Sequence, residues 1–365
     1  MIMRRVTQKF LILIFGLLFT YFYCEYLIYY VVVAQCSWPT TERLIEGQYL
    51  KSFILADTHL LGPYRGHWLD KWRREFQMQQ AFQAVITLHK PDVVFVLGDL
   101  FDEGEWTNEK QFQDYVDRFH KLFKLPNDIK MHVVAGNHDI GFHHNLRRFS
   151  TKRFVDKFQA PSVQHLVLKS SHFILINSMA LHGDSCELCL DARHSINRIS
   201  DAMNCAENVE KCNTEQVNFN YSRPIIMQHF PLYRVSDAAC TEPDAPPLPE
   251  RNKKFRLKID ALSKESTTFL IKKLKPRAVF GGHTHHGCKL LHTYKDLKIE
   301  FLEYSVPSFS WRNRLDPKFM LVTISPETYA VNKCGLPKEG TIILTAMIMI
   351  FALVIFISTK RTIGR

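Results

Sequence analysis

Five short segments of this chain place oxygen and nitrogen metal ligands directly after the points where strands should end. Most of them follow a short apolar run, such as Val93 to Leu97, and such runs between turn residues are typical of buried strands. In layered α/β proteins, ligands bind at the carboxyl ends of such strands. The segments, in chain order, are Asp57-Thr58-His59, Gly98-Asp99-Leu100-Phe101-Asp102, Gly136-Asn137-His138-Asp139, Gln228-His229 and Gly282-His283-Thr284-His285. Five such segments in one order predict a single site at the edge of a sheet.

The order of these motifs resembles the calcineurin-like metallophosphoesterase family. The shared order is Asp-x-His, Gly-Asp-x-x-Asp, Gly-Asn-His-Asp, His and Gly-His-x-His. It implies a four-layer αββα sandwich that hydrolyses a phosphoester with two divalent metal ions. Together with the apolar ends of the chain, the expected architecture is this α/β sandwich flanked by two transmembrane helices.

The spacing of apolar residues between the motifs predicts an α/β fold independently. Apolar residues recur with helical spacing from Leu69 to His89 and again from Phe112 to Phe123. Strands that alternate with helices are typical of layered α/β domains. The predicted strands are Phe53 to Ala56, Val93 to Leu97, His132 to Ala135, Phe173 to Ile176, Ile225 to Met227, Ala278 to Phe280, Ile299 to Leu302 and Met320 to Ile324.

The donor atoms in the motifs favour hard or borderline cations. Carboxylate, amide and imidazole ligands without thiolate suit Mn²⁺, Mg²⁺, Fe or Zn²⁺, and the resemblance implies Mn²⁺. By resemblance, the ligands are Asp57, His59 and His285 for one ion, Asn137, His229 and His283 for the other, and Asp99 as the bridge. Two cations ~3.5–4 Å apart suit in-line displacement at phosphorus, because they clamp the phosphate and generate a hydroxide at neutral pH.

Two further residues have catalytic roles by resemblance. His138 lies next to a ligand and matches the family's general acid, which protonates the departing oxygen. Asp102 matches the carboxylate that hydrogen-bonds this histidine, orients its ring and raises its pKa. Asp139 is open to two interpretations, a helix cap or a catalytic carboxylate.

Positions at which this chain differs from related phosphatase families narrow the class of substrate that we expect. Serine/threonine protein phosphatases place an arginine directly after Gly-Asp-x-x-Asp to hold a phosphate dianion, and this chain has Glu103 there. Purple acid phosphatases place a tyrosine near the bridging aspartate, where this chain has Phe101 and Asp102. An acidic residue in this position suits a diester or an amine-bearing substrate better than a dianion. We hypothesise that Glu103 or Glu105 pairs with a substrate ammonium group.

Both ends of the chain carry apolar stretches that approach the ~20 residues needed to cross a bilayer. Residues 10–34 contain one charge, Glu25, and residues 341–358 contain none. For the first stretch a cleaved signal peptide is the alternative, because Val32-Val33-Ala34 resembles a cleavage site. For the second stretch the alternatives are a buried core helix and a GPI-attachment signal.

Flanking charges predict the orientation of the two stretches. Basic residues precede the first stretch and follow the second, namely Arg4, Arg5, Lys9, Lys360, Arg361 and Arg365. The positive-inside tendency then puts both ends in the cytosol and everything between them in a lumen. The predicted organisation is a cytosolic N-terminus at 1–9, a transmembrane anchor at 10–34, a lumenal metallophosphoesterase domain at 35–340, a transmembrane helix at 341–358 and a cytosolic tail at 359–365.

The cysteines agree with an oxidising compartment. Apart from Cys24, inside the first stretch, they are even in number and suggest disulfides of open connectivity: Cys36, Cys186, Cys189, Cys205, Cys212, Cys240, Cys288 and Cys334. Residues 181–263 break the strand–helix rhythm and are predicted to be partly cysteine-rich loops inserted over the site. Within them, the pair Cys186 and Cys189 has half of a structural zinc site as an alternative interpretation.

Composition argues against nucleic acid as a partner. The formal charge of +11 is partly terminal and otherwise diffuse, without a long run of lysine or arginine. A nuclease is a remote alternative, because some relatives cut DNA but the predicted placement of this domain is lumenal.

A lumenal calcineurin-like domain between two spans is similar to the GPI-anchor-remodelling phosphodiesterases of the early secretory pathway. These enzymes remove an ethanolamine phosphate from the GPI glycan of GPI-anchored proteins, which lets cargo receptors sort those proteins out of the endoplasmic reticulum. The segments Gly98 to Trp106 and Gln228 to Arg234 carry the local similarity. The resemblance implies residence at endoplasmic reticulum exit sites, the intermediate compartment and the cis-Golgi.

Two other functions stay open at the level of the sequence. One is a lumenal metallophosphatase or nucleotide pyrophosphatase that acts on a soluble phosphoester with the same metals. The other is a catalytically silent membrane adaptor, against which the intact ligand set and His138 speak.

Overall fold

The computed structural model describes residues 2–40, 49–184, 186–207 and 219–359. Within them two β-sheets pack face to face, and helices cover their outer faces. Cys212 and the basic residues of the predicted cytosolic tail, Lys360, Arg361 and Arg365, lie outside this part of the chain.

The strands of the described residues are β1 (Leu50–Leu55), β2 (Val93–Leu97), β3 (Lys130–Val134), β4 (Val163–Leu168), β5 (Ser171–Ile176), β6 (Ile225–Gln228), β7 (Ala278–Gly281), β8 (Cys288–Tyr294), β9 (Ile299–Ser305), β10 (Lys318–Ile324) and β11 (Tyr329–Gly335). The helices are α1 (Ile2–Phe22), α2 (Ile28–Val33), α3 (Trp68–His89), α4 (Glu109–Leu122), α5 (Asn137–Ile140), α6 (Arg148–Phe158), α7 (Glu187–Glu207), α8 (Leu248–Arg251), α9 (Lys264–Leu274) and α10 (Glu339–Thr359).

Both sheets are mixed, with parallel strands at their centres. The first has the order β11-β10-β1-β2-β3, in which β1, β2 and β3 are parallel and β10 is antiparallel to β1. The second has the order β4-β5-β6-β7-β9-β8, in which β5, β6, β7 and β9 are parallel and the edge strands β4 and β8 are antiparallel. Ligands in such sheets bind beyond the carboxyl ends of the parallel strands.

Apolar side chains hold four layers together. Between the sheets, Phe95 of β2 lies against Phe173 of β5 with ring centroids 5.1 Å apart. Outside the first sheet, Phe82 of α3 packs against Phe53 of β1, with ring centroids 5.6 Å apart. Outside the second sheet, α7 packs against α9 and β4. The predicted αββα sandwich is confirmed, since burial on both faces is what near-continuous apolar strands require.

Elements that lie at the edges of the sheets escaped prediction from apolar runs. Strands β4, β8 and β11 each have a half-exposed or alternating pattern, because one face or one side of an edge strand meets solvent. The expectation of loops across 181–263 was wrong for its first part, which forms the 21-residue helix α7. Its buried positions have helical spacing, but Ala192, Ser200 and the disulfide-bonded Cys189 weaken the apolar signal.

Helices long and apolar enough to cross a membrane stand at both ends of the described chain. One runs from Val6 to Val33 through a π-helical turn at Tyr23–Leu27, and the other is α10; they have 28 and 21 residues. The two pack against each other, with the Leu353 side chain over Gly16. The predicted span at 341–358 falls within α10, and the one at 10–34 extends one residue past the end of the first helix.

Within the described residues, three disulfides have both cysteines placed, and they join distant and local parts of the chain. Cys36 pairs with Cys334, and Cys240 pairs with Cys288 directly after the last histidine motif. Cys186 pairs with Cys189, so these sulfurs bind each other rather than forming half of a zinc site. Cys205 is also disulfide-bonded.

Candidate metal centre

Loops at the carboxyl ends of strands from both sheets bring the predicted ligands together. Asp57 and His59 follow β1, Asp99 follows β2, and Asn137 opens α5 after β3. From the second sheet, the ligand positions after β6 and β7 are His229, His283 and His285. All seven predicted ligands lie in this cluster, as the motif order predicted.

The backbone at most of these positions is left-handed, which is uncommon for residues other than glycine. Asp57, His59, Asp99, His283 and His285 have φ between 44° and 72°. Such conformations cost of order 1–3 kcal/mol each and persist where the surroundings fix them, typically at functional sites. The turns aim side chains from consecutive short loops into one small volume.

One half of the centre contains Asp57, His59, Asp99 and His285, whose candidate ligand atoms all lie within 4.8 Å of one another. Nε2 of His59 is 3.1 Å from Nε2 of His285 and 3.5 Å from Oδ2 of Asp99. Nε2 of His285 is 3.9 Å from Oδ1 of Asp57. Burial lowers the pKa of both histidines, so both imidazoles are neutral and offer lone pairs.

The other half contains Asp99, His229 and His283, again within 4.8 Å of one another. Nε2 of His229 is 3.2 Å from the same Oδ2 of Asp99 and 3.2 Å from Oδ1 of Asn137. Asp99 therefore belongs to both halves, which is the arrangement that a carboxylate bridging two cations requires.

Hydrogen bonds on the far sides of the rings fix which nitrogen faces the centre. Nδ1 of His229 donates to the carbonyl of Leu97 at 2.7 Å, and Nδ1 of His59 lies 3.2 Å from Oδ1 of Asp102. Each ring therefore presents Nε2 to the centre. Such outer partners orient histidine ligands and increase their basicity.

The electrostatics of the cluster also fit bound cations. Burial, together with the charge of Asp99, raises the pKa of Asp57 to about 8. Burial opposes the charge on His229, but the Asp99 carboxylate outweighs it and raises the pKa of His229 to about 9. Two buried carboxylates this close need positive charge between them, and divalent cations supply it.

His138 lies at the edge of this cluster with its side chain 30 % exposed. Its Nδ1 donates to the backbone carbonyl of Asp102 at 2.8 Å, which leaves Nε2 for a substrate. Its backbone N–H donates to Oδ1 of Asp99 at 2.8 Å. Burial opposes its charge, but Asp99 and the Asp102 carbonyl raise the pKa of His138 above that of a free histidine.

The contacts of Asp102 differ from the expectation. Its carboxylate oxygen Oδ1 is 4.0 Å from His138 but 3.2 Å from Nδ1 of His59. The backbone carbonyl, rather than the carboxylate, orients His138, because the loop turns the side chain toward the first metal half.

Two polar side chains hold the ligand loops in place. The buried Asp139 accepts N–H groups from Phe101 at 3.0 Å and from Gly136 at 2.8 Å, so the interpretation as a cap is the one that the contacts favour. Ser178, which sequence reasoning missed, accepts the N–H of His229 at 3.2 Å. No motif surrounds Ser178, and only the three-dimensional structure places it beside the site.

The two glutamates proposed to meet an ammonium group have different environments. Glu103 is fully buried, and its carboxylate accepts the backbone N–H groups of Tyr64 and Arg65. It is occupied in holding this loop, so the ammonium hypothesis fails for Glu103. Glu105 is partly exposed, and burial raises its pKa while His138 nearby lowers it. Of these two glutamates, Glu105 is the one that is partly open to solvent and so accessible to a substrate.

A cavity of about 430 Å³ adjoins the centre at His283. Phe255, Asp260 and Lys254 contribute to its walls. Its volume lies within the range of small-molecule sites, and it combines one aromatic ring with charges of both signs.

The sequence pattern of calcineurin-like phosphoesterases matches residues 50–287. The chain belongs to this family. It is therefore a phosphoesterase of a family that binds a dinuclear metal site, and the clusters around Asp99 supply the donors for one.

Similar proteins cover nearly the whole chain. Metallophosphoesterase 1 of Danio rerio is 44 % identical over 95 % of this chain and 91 % of its own length. The Metallophosphoesterase 1 homolog of Drosophila melanogaster is 46 % identical over 92 % of this chain and 88 % of its own. A purple acid phosphatase from Lupinus luteus seeds has a TM-score of 0.49 at 11 % identity, over 81 % of this chain and 52 % of that one.

Proposed function

We propose that this protein is a dinuclear metal-dependent phosphodiesterase that removes an ethanolamine phosphate from the GPI glycan of GPI-anchored proteins. The observation that carries the proposal is the sharing of Asp99 by two ligand groups, with His138 beside them. The domain bearing this site is joined to two apolar helices that pack together. These helices support a substrate that is itself tethered to a membrane.

The proposed ligands are Asp57, His59 and His285 for one ion, Asn137, His229 and His283 for the other, and Asp99 between them. Their oxygen and nitrogen donors suit Mn²⁺, which we propose as the resident metal. When bound, the two ions supply Lewis acidity to the phosphate and to the attacking water.

His138 supplies the proton in the proposed reaction. Its Nδ1 is committed to the Asp102 carbonyl, so Nε2 carries the proton toward the substrate. As water adds to phosphorus and loses a proton to solvent, the bond from phosphorus to the sugar oxygen breaks, and Nε2 protonates that oxygen. His138 then regains a proton from solvent. The products are a sugar hydroxyl and free ethanolamine phosphate.

Two observations support an amine-bearing diester over a monoester. The position that holds a phosphate-gripping arginine in protein phosphatases is the buried Glu103 here, engaged with the backbone of Tyr64 and Arg65. Glu105, within electrostatic range of His138, places a carboxylate where an ethanolamine ammonium can meet it. The cavity beside His283 adds space for sugar rings next to the phosphate.

The proposed location is the lumenal side of the early secretory pathway, at exit sites of the endoplasmic reticulum, the intermediate compartment and the cis-Golgi. Both termini are then cytosolic, and the disulfides lie on the oxidising side. An enzyme anchored in the membrane of its substrate gains effective concentration. Removal of the ethanolamine phosphate would promote transport of GPI-anchored proteins toward the Golgi.

The test is an assay of the purified full-length protein with Mn²⁺ on a GPI-anchored protein. Mass spectrometry of the glycan should show the loss of one ethanolamine phosphate, and the Asp99→Asn variant should leave the glycan intact. Nucleotides serve as the soluble comparison substrates. If nucleotides are hydrolysed while the GPI glycan stays unchanged, the proposed substrate is wrong. The result would then favour the alternative, an enzyme that acts on a soluble phosphoester.

A further inference from the structure

A group of large apolar side chains at the start of α3 is exposed. Tyr64, Trp68, Leu69 and Trp72, here called the aromatic ledge, are 67 %, 68 %, 47 % and 60 % exposed. Trp68 and Trp72 are one helical turn apart, so they share a face of α3. Several large exposed apolar side chains in one short stretch are typical of interaction surfaces.

The position of the aromatic ledge along the two terminal helices follows from the contacts of these helices. They run antiparallel, because Gly16 meets Leu353 while Cys24 meets the carbonyl of Ile342. Glu25 and Glu339 are therefore near the same end of the pair. Beyond this level the first helix passes into the domain, where Ile28, Tyr29 and Val33 are buried.

The first turns of α3 contact the terminal helices near Glu25 and Glu339. Arg73 pairs with Glu25, and Arg74 pairs with Glu339 at 3.0 Å. The ring of Phe76 contacts the ring of Tyr26, 5.5 Å between centroids, and stacks on Trp72.

The other end of α3 lies against the end of the first helix that is buried in the domain. There the His89 ring reaches the carbonyl of the buried Val33 at 3.2 Å. Glu25 and Glu339 therefore sit near the level where the terminal helices meet the domain, each paired with an arginine of α3. Trp68 and Trp72 project from α3 next to these pairs.

We propose that the aromatic ledge enters the headgroup layer of the bilayer that the terminal helices cross. This inference rests on the membrane anchoring in the proposed function. Tryptophan and tyrosine favour this layer because each combines an apolar ring with a polar group. A lipid surface is the occupant that the geometry favours, since the ledge continues the apolar surface of Tyr26 through Phe76 to Trp72.

The ledge is also connected to the metal centre. The backbone N–H groups of Tyr64 and Arg65 donate to Glu103, which directly follows Asp102. Asp102 in turn contacts Nδ1 of His59 at 3.2 Å. A ledge held in the headgroup layer therefore fixes the distance of the metal centre from the membrane surface, where a lipid-anchored substrate presents its glycan.

The experiment uses the full-length protein in nanodiscs that contain phosphatidylcholine brominated near the glycerol, which quenches only tryptophans close to it. Wild type is compared with the double variant Trp68→Gln/Trp72→Gln. We expect the lipid-dependent quenching to fall by roughly twofold or more in this variant, because it loses two interfacial tryptophans. Trp38→Phe is the matched control, since Trp38 contacts His89 at the far end of α3 and should leave the quenching unchanged.

Additional measurements separate the possible failures. Turnover of a soluble diester in detergent should match wild type in the double variant, which shows that the variant folds. Equal quenching in wild type and the double variant would overturn the proposal that the aromatic ledge enters the headgroup layer. Loss of the wild-type protein from membranes on carbonate washing would overturn the ledge together with the spans. Normal quenching behaviour with an unprocessed GPI glycan would support the ledge and count only against the proposed substrate.

Discussion

The floor and the rim of the metal centre are built differently. The floor consists of the seven proposed ligands, Asp57, His59, Asp99, Asn137, His229, His283 and His285, mostly buried and fixed by strained turns and hydrogen bonds. The rim consists of His138, Glu105 and the cavity beside His283, which are partly open to solvent. We therefore predict that metal binding and substrate selection can be changed separately. Changes in the floor should alter metal content, and changes in the rim should alter turnover with the metals retained.

The largest effect is expected for Asp99→Asn. This change removes the charge that both halves of the floor share, so both metals should be lost. Turnover should fall more than ~10³-fold, because the clamp contributes more than a single oxyanion donor. Metal analysis and diester hydrolysis on the same sample check this. Retention of a full metal complement would break the distinction between floor and rim.

The next largest effect is expected for His138→Asn. Metal content should stay at the wild-type level, while turnover of an alkyl diester should fall ~10²–10⁴-fold through loss of the general acid. A nitrophenyl diester is the control substrate, because its leaving group needs little protonation and should be affected much less. Equal losses on both substrates would show that His138 does not protonate the leaving oxygen.

Asp102→Ala tests the contact between floor and rim. Its carboxylate touches His59 while its backbone carbonyl holds His138, so the variant should lose metal affinity by ~10–100-fold. Saturating Mn²⁺ should then restore most of the turnover. Asp296→Ala, an exposed carboxylate before β9, is the matched control. If turnover at saturating metal instead stays as low as in His138→Asn, the Asp102 carboxylate acts in turnover, with the rim, and not in metal binding.

The smallest effect on catalysis is expected for Glu105→Gln. Partly exposed ion pairs are weak, so hydrolysis of an ethanolamine-bearing diester should drop roughly two- to fivefold relative to an uncharged diester. Competition between the two substrates in one reaction measures this ratio. An unchanged ratio would remove Glu105 from substrate selection.

Glu103→Gln is the informative companion to that variant. Its two carboxylate oxygens each accept one backbone N–H group. Glutamine replaces one of these oxygens with an NH₂ group that cannot accept, so the protein should lose ~1–3 kcal/mol of stability. Denaturant unfolding measures this loss. The substrate ratio should stay at the wild-type value.

The floor could be predicted from the sequence because metal binding demands particular donor atoms at the ends of buried strands. The motifs around Asp57, Asp99 and His283 combined those donors with continuous apolar runs, and the structure brings them together. The chemistry restricts the residue types, and the strands restrict their positions. The same apolar runs predicted the central strands of both sheets.

The rim and the outer elements were harder to predict for physical reasons. Whether the carboxylate or the carbonyl of Asp102 faces His138 depends on a loop conformation that no local pattern encodes. The sequence does not distinguish the environments of Glu103 and Glu105, because only the folded loop shows that two backbone N–H groups donate to Glu103. Edge strands such as β8 and the helix α7 bury only part of their surface, so they lack a continuous apolar signal.

Metal content measured together with activity tests the central claim most directly. Purified wild-type protein should contain about two equivalents of divalent transition metal, lose diester hydrolysis on treatment with a chelator and regain it with Mn²⁺. Active protein that contains no bound metal and tolerates the chelator would contradict the assignment of hydrolysis to two ions held by Asp99 and its neighbours.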